Sequence, residues 1–189
     1  MDPRSGNDPT AGYRVWLGDG WGEVPVPEMG GEAVVVPNVA AIVFPDLRRD
    51  RILLQRRDKP GEPVRGLLEV PGGRWRPGEA PDVAVVREVE EETGLEVTAV
   101  AAAGERHDGE GPGAYGVARP LAVVTGLDGA YPALHVVFEC YARGIPRPLP
   151  GETRDPRWWP RDEVEDLMRI DPAAFVGHTR AMLLAGLER

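Results

Sequence analysis

Apolar residues form short runs along the middle of the chain, and turn-forming residues separate these runs. Val, Ile and Leu dominate each run, while Gly, Pro, Asn and Asp stand between them, which is typical of strands joined by turns. The predicted strands cover residues 34–44, 51–57, 67–70, 96–103, 118–125 and 134–142. Because helical stretches interrupt the strands, we predict a layered α/β domain.

The first helical stretch follows the third predicted strand. Pro81 suits the first position of a helix, and Gly94 stands where a glycine commonly ends one. We therefore predict a helix over about residues 81–93. A second stretch, residues 172–187, has Ala, Met and Leu at the spacing of a packed helix.

The first part of the chain has a different composition. Residues 1–32 are rich in Gly, Pro and acidic residues, and we interpret them as a tail with an appended segment, followed by one domain over residues 33–189. Trp16 and Trp21 indicate that the appended segment docks on a surface. That surface is either this domain or the second copy in a homodimer.

Composition and charge exclude several classes of partner. The chain has 189 residues and a net charge of −9, which argues against a nucleic-acid polymer as partner because phosphate binding needs basic residues. The longest apolar run covers twelve positions and contains Pro37, so no membrane span is expected. The single cysteine, Cys140, and the absence of an apolar leader favour a reducing compartment, the cytoplasm.

The sequence REVEEETGL places four glutamates within positions 88–92, near the end of the first predicted helix. Carboxylates in the last turn oppose the helix dipole by about 0.3–1 kcal/mol each. On a helical wheel Glu88, Glu91 and Glu92 share one face, and Glu90 points away. No basic residue follows Arg87 before residue 106, so we expect these carboxylates to lack basic partners. A solvated charged face is the alternative, but convergent carboxylates suit a hard cation such as Mg²⁺.

The spacing around this helix resembles the Nudix box. Gly73, Glu79 and the run from Arg87 to Leu95 fill every fixed position of the pattern G-x5-E-x7-R-E-U-x-E-E-x-G-U, where U is apolar. The box spans 23 of the 189 residues, and residues 34–168 are also similar to a Nudix domain in the order of their strands. The resemblance implies an α/β/α sandwich with a mixed β-sheet and a loop-helix-loop catalytic motif.

The resemblance also implies a reaction. Nudix enzymes generally hydrolyse a nucleoside diphosphate linked to another moiety, and they use Mg²⁺ or sometimes Mn²⁺. The expected substrate is therefore a nucleotide or nucleotide conjugate, either an ADP-sugar such as ADP-ribose or a nucleoside triphosphate. A non-catalytic, nucleotide-binding regulatory domain is the alternative, but its signature would be loss of box glutamates, and none is missing.

Roles within the box follow from the same resemblance. Glu91 and Glu92 are expected to ligate metal, and Glu88 to ligate metal or to take the proton from the attacking water. Either Glu88 or Glu91 is the general base. Arg87, four residues before Glu91, is expected to orient carboxylates by charged hydrogen bonds.

Residues before the helix have supporting roles. Glu79 either caps the helix or supports the metal site. Gly72 and Gly73 are expected to let the backbone turn and approach the diphosphate closely.

Outside the box, several residues are candidates for completing the site. Glu152 is the first choice for a further metal ligand, and Asp155 is the second. The loop with His107, Asp108 and Glu110 is another source of a water-activating group.

Basic and aromatic residues near the predicted strands are candidates for binding substrate. Arg56 and Arg57 lie beside strands that lead to the box, where they are expected to meet phosphate or ribose. Residues 158 and 159, both Trp, either form a base-stacking wall or pack in the core. His135 and His178 lie in apolar contexts, and we interpret them as structural.

Overall fold

The structure is a computed structural model that describes residues 13–17, 20–24, 35–101, 106–107, 115–126 and 131–187. The strands are β1 (Tyr13–Trp16), β2 (Trp21–Val24), β3 (Val36–Phe44), β4 (Arg51–Arg57), β5 (Leu68–Glu69), β6 (Gly72–Arg74), β7 (Glu96–Val100), β8 (Arg106–His107), β9 (Tyr115–Gly116), β10 (Ala122–Gly126), β11 (Ala133–Arg143) and β12 (Thr153–Pro160). The helices are α1 (Pro81–Thr93), α2 (Arg161–Ile170) and α3 (Gly177–Leu187), with a 3₁₀ turn at Pro172–Ala174.

The largest sheet is mixed. Strands β11 and β3 run parallel along their lengths, while β10 and β7 pair antiparallel with β11. Strand β6 pairs antiparallel with the other side of β3. A second, antiparallel sheet has the order β12-β4-β5.

Strand β3 is buried on both of its faces. Phe44 packs in a core with Val164 of α2 and Leu183 of α3, whereas Val43 packs in a separate core with Val85 of α1. Successive side chains of a strand point to opposite faces, so the two cores lie on opposite sides of the sheet. Full burial of such side chains stabilises the fold by about 1.5–3 kcal/mol each. The predicted α/β/α sandwich is confirmed.

Helix α1 has the predicted bounds. It begins at Pro81 and ends at Thr93, and Gly94 then adopts a left-handed conformation with φ of 65°. The Gly94 N–H donates to the carbonyl of Glu90 at 3.0 Å. This conformation carries little strain for glycine, which explains why the helix stops there.

The second predicted helix is interrupted near its start. Phe175 is extended and bridges to Leu68, and the Val176 N–H donates to the Leu68 carbonyl at 2.9 Å. Helix α3 therefore begins only at Gly177, because a strand-like contact with β5 competes with helical hydrogen bonding. Trp158 and Trp159 of β12 pack against the two cores, which favours the core-packing alternative for both.

The hairpin of β1 and β2 packs on this domain. Trp21 Nε1 donates to the Pro60 carbonyl at 2.9 Å, and Arg74 Nη2 donates to the Trp16 carbonyl at 2.6 Å. The rings of Trp16 and Trp21 meet edge to face with centroids 5.6 Å apart. The remainder of residues 1–32 lies outside the described residues, and the domain boundary at residue 33 stays a prediction.

Among the described residues, no helix combines the length and the apolar composition that a membrane span requires.

Candidate active site

Two glycines bring β6 close to its neighbours. A Cβ on Gly72 would lie 2.8 Å from Cα of Ala40 in β3, and a Cβ on Gly73 would lie 2.6 Å from Cδ of Glu88 in α1. Both distances are shorter than side chains tolerate. Glycine at these positions therefore lets the strand pair with β3 and lets the Glu88 carboxylate lie against the backbone.

Arg87 holds three carboxylates of what we call the acidic network, which comprises Glu79, Arg87, Glu88, Glu91 and Glu92. Its Nε and Nη2 donate to Glu79 at 2.7 and 3.0 Å. Its Nη1 donates to Glu88 at 2.6 Å and to Glu91 at 3.2 Å. These charge-assisted bonds raise the pKa of Arg87 and lower the pKa of Glu79. Arg87 thus holds the carboxylates of Glu79, Glu88 and Glu91, and its role in the reaction stays a prediction.

Arg76 is a basic partner of the acidic face that was not expected from the sequence. Arg87 pairs with both Glu88 and Glu91, and Nη2 of Arg76 lies 3.5 Å from Glu91. Arg76 belongs to the loop before α1, so only the folding of that loop brings it to the helix. These arginines reduce the repulsion between neighbouring carboxylates.

Glu92 faces the interior and is only 5% exposed. Gln55 Nε2 donates to Glu92 Oε2 at 2.7 Å, and the Gly72 N–H donates to the same oxygen at 3.1 Å. Burial, with the nearby Glu69, raises the pKa of Glu92 to about 8. Burial therefore favours the protonated form of this carboxyl.

The other two acids are more accessible. The side chain of Glu88 is 12% exposed, and burial raises its pKa, whereas the side chain of Glu91 is 46% exposed. The carboxyl groups of Glu88, Glu91 and Glu92 do not gather at one point, although their backbone positions lie within one helical turn. Within the described part of the chain, no group of three or more His, Cys, Asp or Glu side chains is arranged to hold a metal ion.

The donor set nevertheless suits a hard divalent cation. Both hydrogen bonds to Glu92 end on Oε2, so Oε1 receives neither of them. Oε1 of Gln55 is also buried and has no hydrogen-bond partner among the residues that the structure describes. Carboxylate and amide oxygens are ligands that such cations prefer. The half-exposed Glu91 is the third carboxylate of this donor set.

A cavity of about 590 Å³ borders β6, and the described residues of its wall include no member of the acidic network. Its wall includes Gly72 and Gly73 and also Arg57, one of the two arginines predicted to bind substrate. Arg57 donates to Glu62 at 2.7 Å and to Glu69 at 3.2 Å. The cavity is within the size range of ligand sites and reaches the glycines beside Glu88.

The structure separates other predicted residues from this cavity. Arg56 Nη1 donates to the Gly66 carbonyl at 2.8 Å, and Arg56 is not part of the cavity wall. Asp155 lies in a bulge of β12 with φ of 50°. The loop around residues 108–110 lies outside the described residues.

Glu152 lies near the cavity rather than among the box glutamates. Its carboxylate pairs with Nζ of Lys59 at 2.9 Å, and Lys59 is part of the cavity wall. The next residue, Thr153, donates from its hydroxyl to the carbonyl of Glu92 at 3.3 Å. The start of β12 is thus held against the end of α1.

Sequence reasoning missed two residues of the cavity wall. His135 and His178 line the cavity, although their apolar sequence contexts indicated a structural role. One belongs to β11 and the other to α3, so no local spacing relates them. Only the strand register, which pairs His135 with Val124 of β10, and the packing of α3 bring them together.

A family model described as NUDIX domain matches residues 36–177, about three quarters of the chain. The chain belongs to the NUDIX domain family. It is a hydrolase that acts on pyrophosphate bonds, and NUDIX hydrolases generally use divalent metal ions. The predictions of family, fold class and enzyme class are therefore confirmed.

Solved structures show the same NUDIX fold. A MutT NUDIX hydrolase from Burkholderia pseudomallei is 24% identical, with a TM-score of 0.58 over 80% of this chain and 98% of that chain. The ORF135 protein of E. coli is 21% identical, with a TM-score of 0.56 over 82% and 89%. The NUDIX domain of Shewanella oneidensis NrtR, complexed with ADP ribose, is 17% identical, with a TM-score of 0.60 over 86% and 93%.

Proposed function

We propose that this chain is a metal-dependent pyrophosphohydrolase that cleaves a phosphoanhydride bond in a nucleoside diphosphate linked to another moiety. That moiety is a sugar, as in ADP-ribose, or a further phosphate, as in a nucleoside triphosphate. One observation carries the proposal: Arg87 holds the Glu88 carboxylate against the Gly73 backbone, beside a cavity of about 590 Å³.

The proposed cofactor is Mg²⁺ or Mn²⁺, held by Glu88, Glu91 and Glu92. Glu152 is the proposed further ligand from outside the box, although its carboxylate pairs with Lys59 and not with a residue of the acidic network. A bound ion neutralises charge on the diphosphate oxygens and lowers the pKa of an attacking water.

Residues of the chain orient the carboxylates, and one of these carboxylates accepts the proton of the attacking water. The water oxygen forms a bond to phosphorus, the anhydride P–O bond breaks, and the water proton passes to the carboxylate of Glu88 or Glu91. Arg87 limits the orientations of both carboxylates, because one of its nitrogens donates to each of them. Gly72 and Gly73 have no side chain because β3 and the Glu88 carboxylate occupy that space, and Gly73 thereby keeps Glu88 close to the backbone.

Two substrate classes remain in the proposal. The ADP ribose bound by the NUDIX domain of NrtR supports a nucleoside diphosphate sugar, and likeness to a MutT NUDIX hydrolase supports a nucleoside triphosphate. We further propose the cytoplasm as the compartment, since the one cysteine is buried and unpaired.

A panel of nucleotides tests the proposed activity. Purified protein with Mg²⁺ or Mn²⁺ is expected to convert ADP-ribose into AMP and ribose 5-phosphate, or a nucleoside triphosphate into a monophosphate and diphosphate. Chelation of the metal with EDTA should stop turnover. If the whole panel stays uncleaved while a nucleotide binds tightly, the regulatory nucleotide-binding alternative is favoured.

Two neighbouring glutamates provide a matched comparison. Glu91→Gln is expected to lower kcat by about 10²–10⁴-fold, as loss of a proton acceptor or metal ligand typically does. Glu90→Gln should leave kcat unchanged, because Glu90 is exposed on another face and accepts from the Val97 N–H at 3.2 Å. Equal activity of the two variants would remove the assigned role of Glu91.

A further inference from the structure

Two imidazole rings stack on each other in the cavity wall. The centroids of His135 and His178 are 4.5 Å apart, and their planes are inclined by 19°. Both side chains are partly buried, and both line the cavity that reaches Gly72 and Gly73. We call this pair the histidine stack.

The ring nitrogens of the histidine stack are not used by the described protein. No hydrogen bond joins either imidazole to another side chain or backbone group in the described part of the chain. Nε2 of His135 lies next to Gly126 of β10, where an added Cβ would be in ordinary contact with it at 3.8 Å. A buried polar atom normally finds a partner, so these nitrogens are available to a ligand.

The histidine stack is neutral at physiological pH. Burial lowers the pKa of His135 and of His178 to about 4. Each neutral ring offers one N–H donor and one nitrogen acceptor, together with an aromatic face. An anionic phosphate would gain little from such rings.

We propose that the histidine stack recognises the nucleobase of the substrate, with the base extending the stack and its polar edge bonding to the free ring nitrogens. The inference rests on the proposed function, because it assumes that a nucleotide occupies the cavity. Base–aromatic stacking accepts every base, whereas hydrogen bonds at the ring edge discriminate between bases. The two histidines are therefore specificity-determining residues.

The charged residues of the wall do not compete for this role. Arg57 is paired with Glu62 and Glu69, and Arg74 donates to the Trp16 carbonyl. A neutral heterocycle with donors and acceptors on its edge matches the uncharged stack better than a sugar, which has no aromatic face.

Binding of nucleoside monophosphates tests the proposal without turnover. Isothermal titration calorimetry in EDTA compares AMP, GMP, CMP and UMP with ribose 5-phosphate, which lacks a base. At least one nucleotide is expected to bind about tenfold or more tightly than ribose 5-phosphate, as one stacked base typically contributes. If none of the four binds more tightly than ribose 5-phosphate, the proposal is wrong.

Variants test whether the tighter binding of the nucleotide depends on the two histidine rings. His135→Ala and His178→Ala should each lower the affinity for the preferred nucleotide about tenfold and leave ribose 5-phosphate binding unchanged. His178→Phe keeps a ring in the fold but removes both nitrogens, so it should retain affinity and lose the preference among bases. Leu184→Ala, an exposed change on the same helix, is the control and should bind like the wild type.

A hydrolysis assay distinguishes failure of this inference from failure of the proposed function. If ADP-ribose or a triphosphate is cleaved, the alanine variants should raise KM about tenfold and change kcat by less than about twofold, because the stack contacts the base only. Cleavage with an unchanged KM in these variants overturns the inference but not the hydrolase. Base-dependent binding without any cleavage overturns the hydrolase but not the inference.

Discussion

In the acidic network every member lies between Glu79 and Glu92, whereas the histidine stack joins a strand to a helix near the end of the chain. The network is charged, and Arg87 donates hydrogen bonds to Glu79, Glu88 and Glu91. The stack is neutral, and its contact is between two ring faces. Bond cleavage needs fixed charges at fixed spacing, and one helix with its preceding loop provides this. Recognition of a base needs only a neutral surface, which distant segments can supply.

Loss of the ion pairs that Arg57 makes in the cavity wall should produce the largest effect on stability. Arg57→Met leaves the buried carboxylate of Glu69 and the side chain of Glu62 without their cation, so the free energy of unfolding should fall by about 3–5 kcal/mol. Urea denaturation measures this change. Arg48→Met, which breaks an exposed pair with Asp46, should leave the midpoint unchanged. A similar urea midpoint for both variants would mean that the ion pairs of Arg57 do not stabilise the fold.

Two glycines of the cavity wall offer the next comparison. Gly73→Ala would push a methyl group into the Glu88 carboxylate, and displacement of a reacting group by about 1 Å can reduce kcat about 100-fold. Gly177→Ala adds a methyl group in open space at the start of α3, so kcat should stay within about twofold. Steady-state kinetics on the cleaved nucleotide measures both. Full activity of Gly73→Ala would show that Glu88 does not need its close backbone contact.

The histidine stack should affect stability in a pH-dependent way. The pKa of each histidine is about 4 in the folded protein and 6.5 ordinarily, so the unfolded chain binds more protons between these values. Stability should therefore fall as the pH decreases from about 6.5 to 4. The double variant His135→Phe, His178→Phe should lose less stability than the wild type over this interval, because each unit of pKa difference is worth about 1.4 kcal/mol per group. Thermal unfolding at several pH values measures the slopes, and equal slopes would mean that the rings are not held neutral.

Arg56 should produce the smallest effect. Arg56→Met removes one hydrogen bond to the Gly66 carbonyl and should lower the free energy of unfolding by about 1 kcal/mol. Its KM for the cleaved nucleotide should equal that of the wild type, because Arg56 is outside the cavity wall. A tenfold increase in KM would restore the expectation that Arg56 binds substrate.

Helix α1 and the network around Arg87 were predictable because their signals are local. Pro81, Gly94 and the spacing of the box residues determine where the helix begins, where it ends and which side chains share a turn. Strand β12 and helix α2 were not assigned from the sequence, although Val164, Leu167 and Met168 recur at helical spacing in the run PRWWPRDEVEDLMR. Strand β12 forms because it pairs with β4, which lies far away along the chain.

The sequence by itself determined the family, the α/β class and the helix that carries the glutamates, because fixed spacing and helical periodicity act over a few turns. Tertiary structure decided that Glu92 turns inward to Gln55 and Gly72, and that His135 meets His178. Both outcomes depend on how separate strands and helices pack. Short-range pattern carries no information about which distant residues meet across a sheet, so these contacts appear only when the chain is folded.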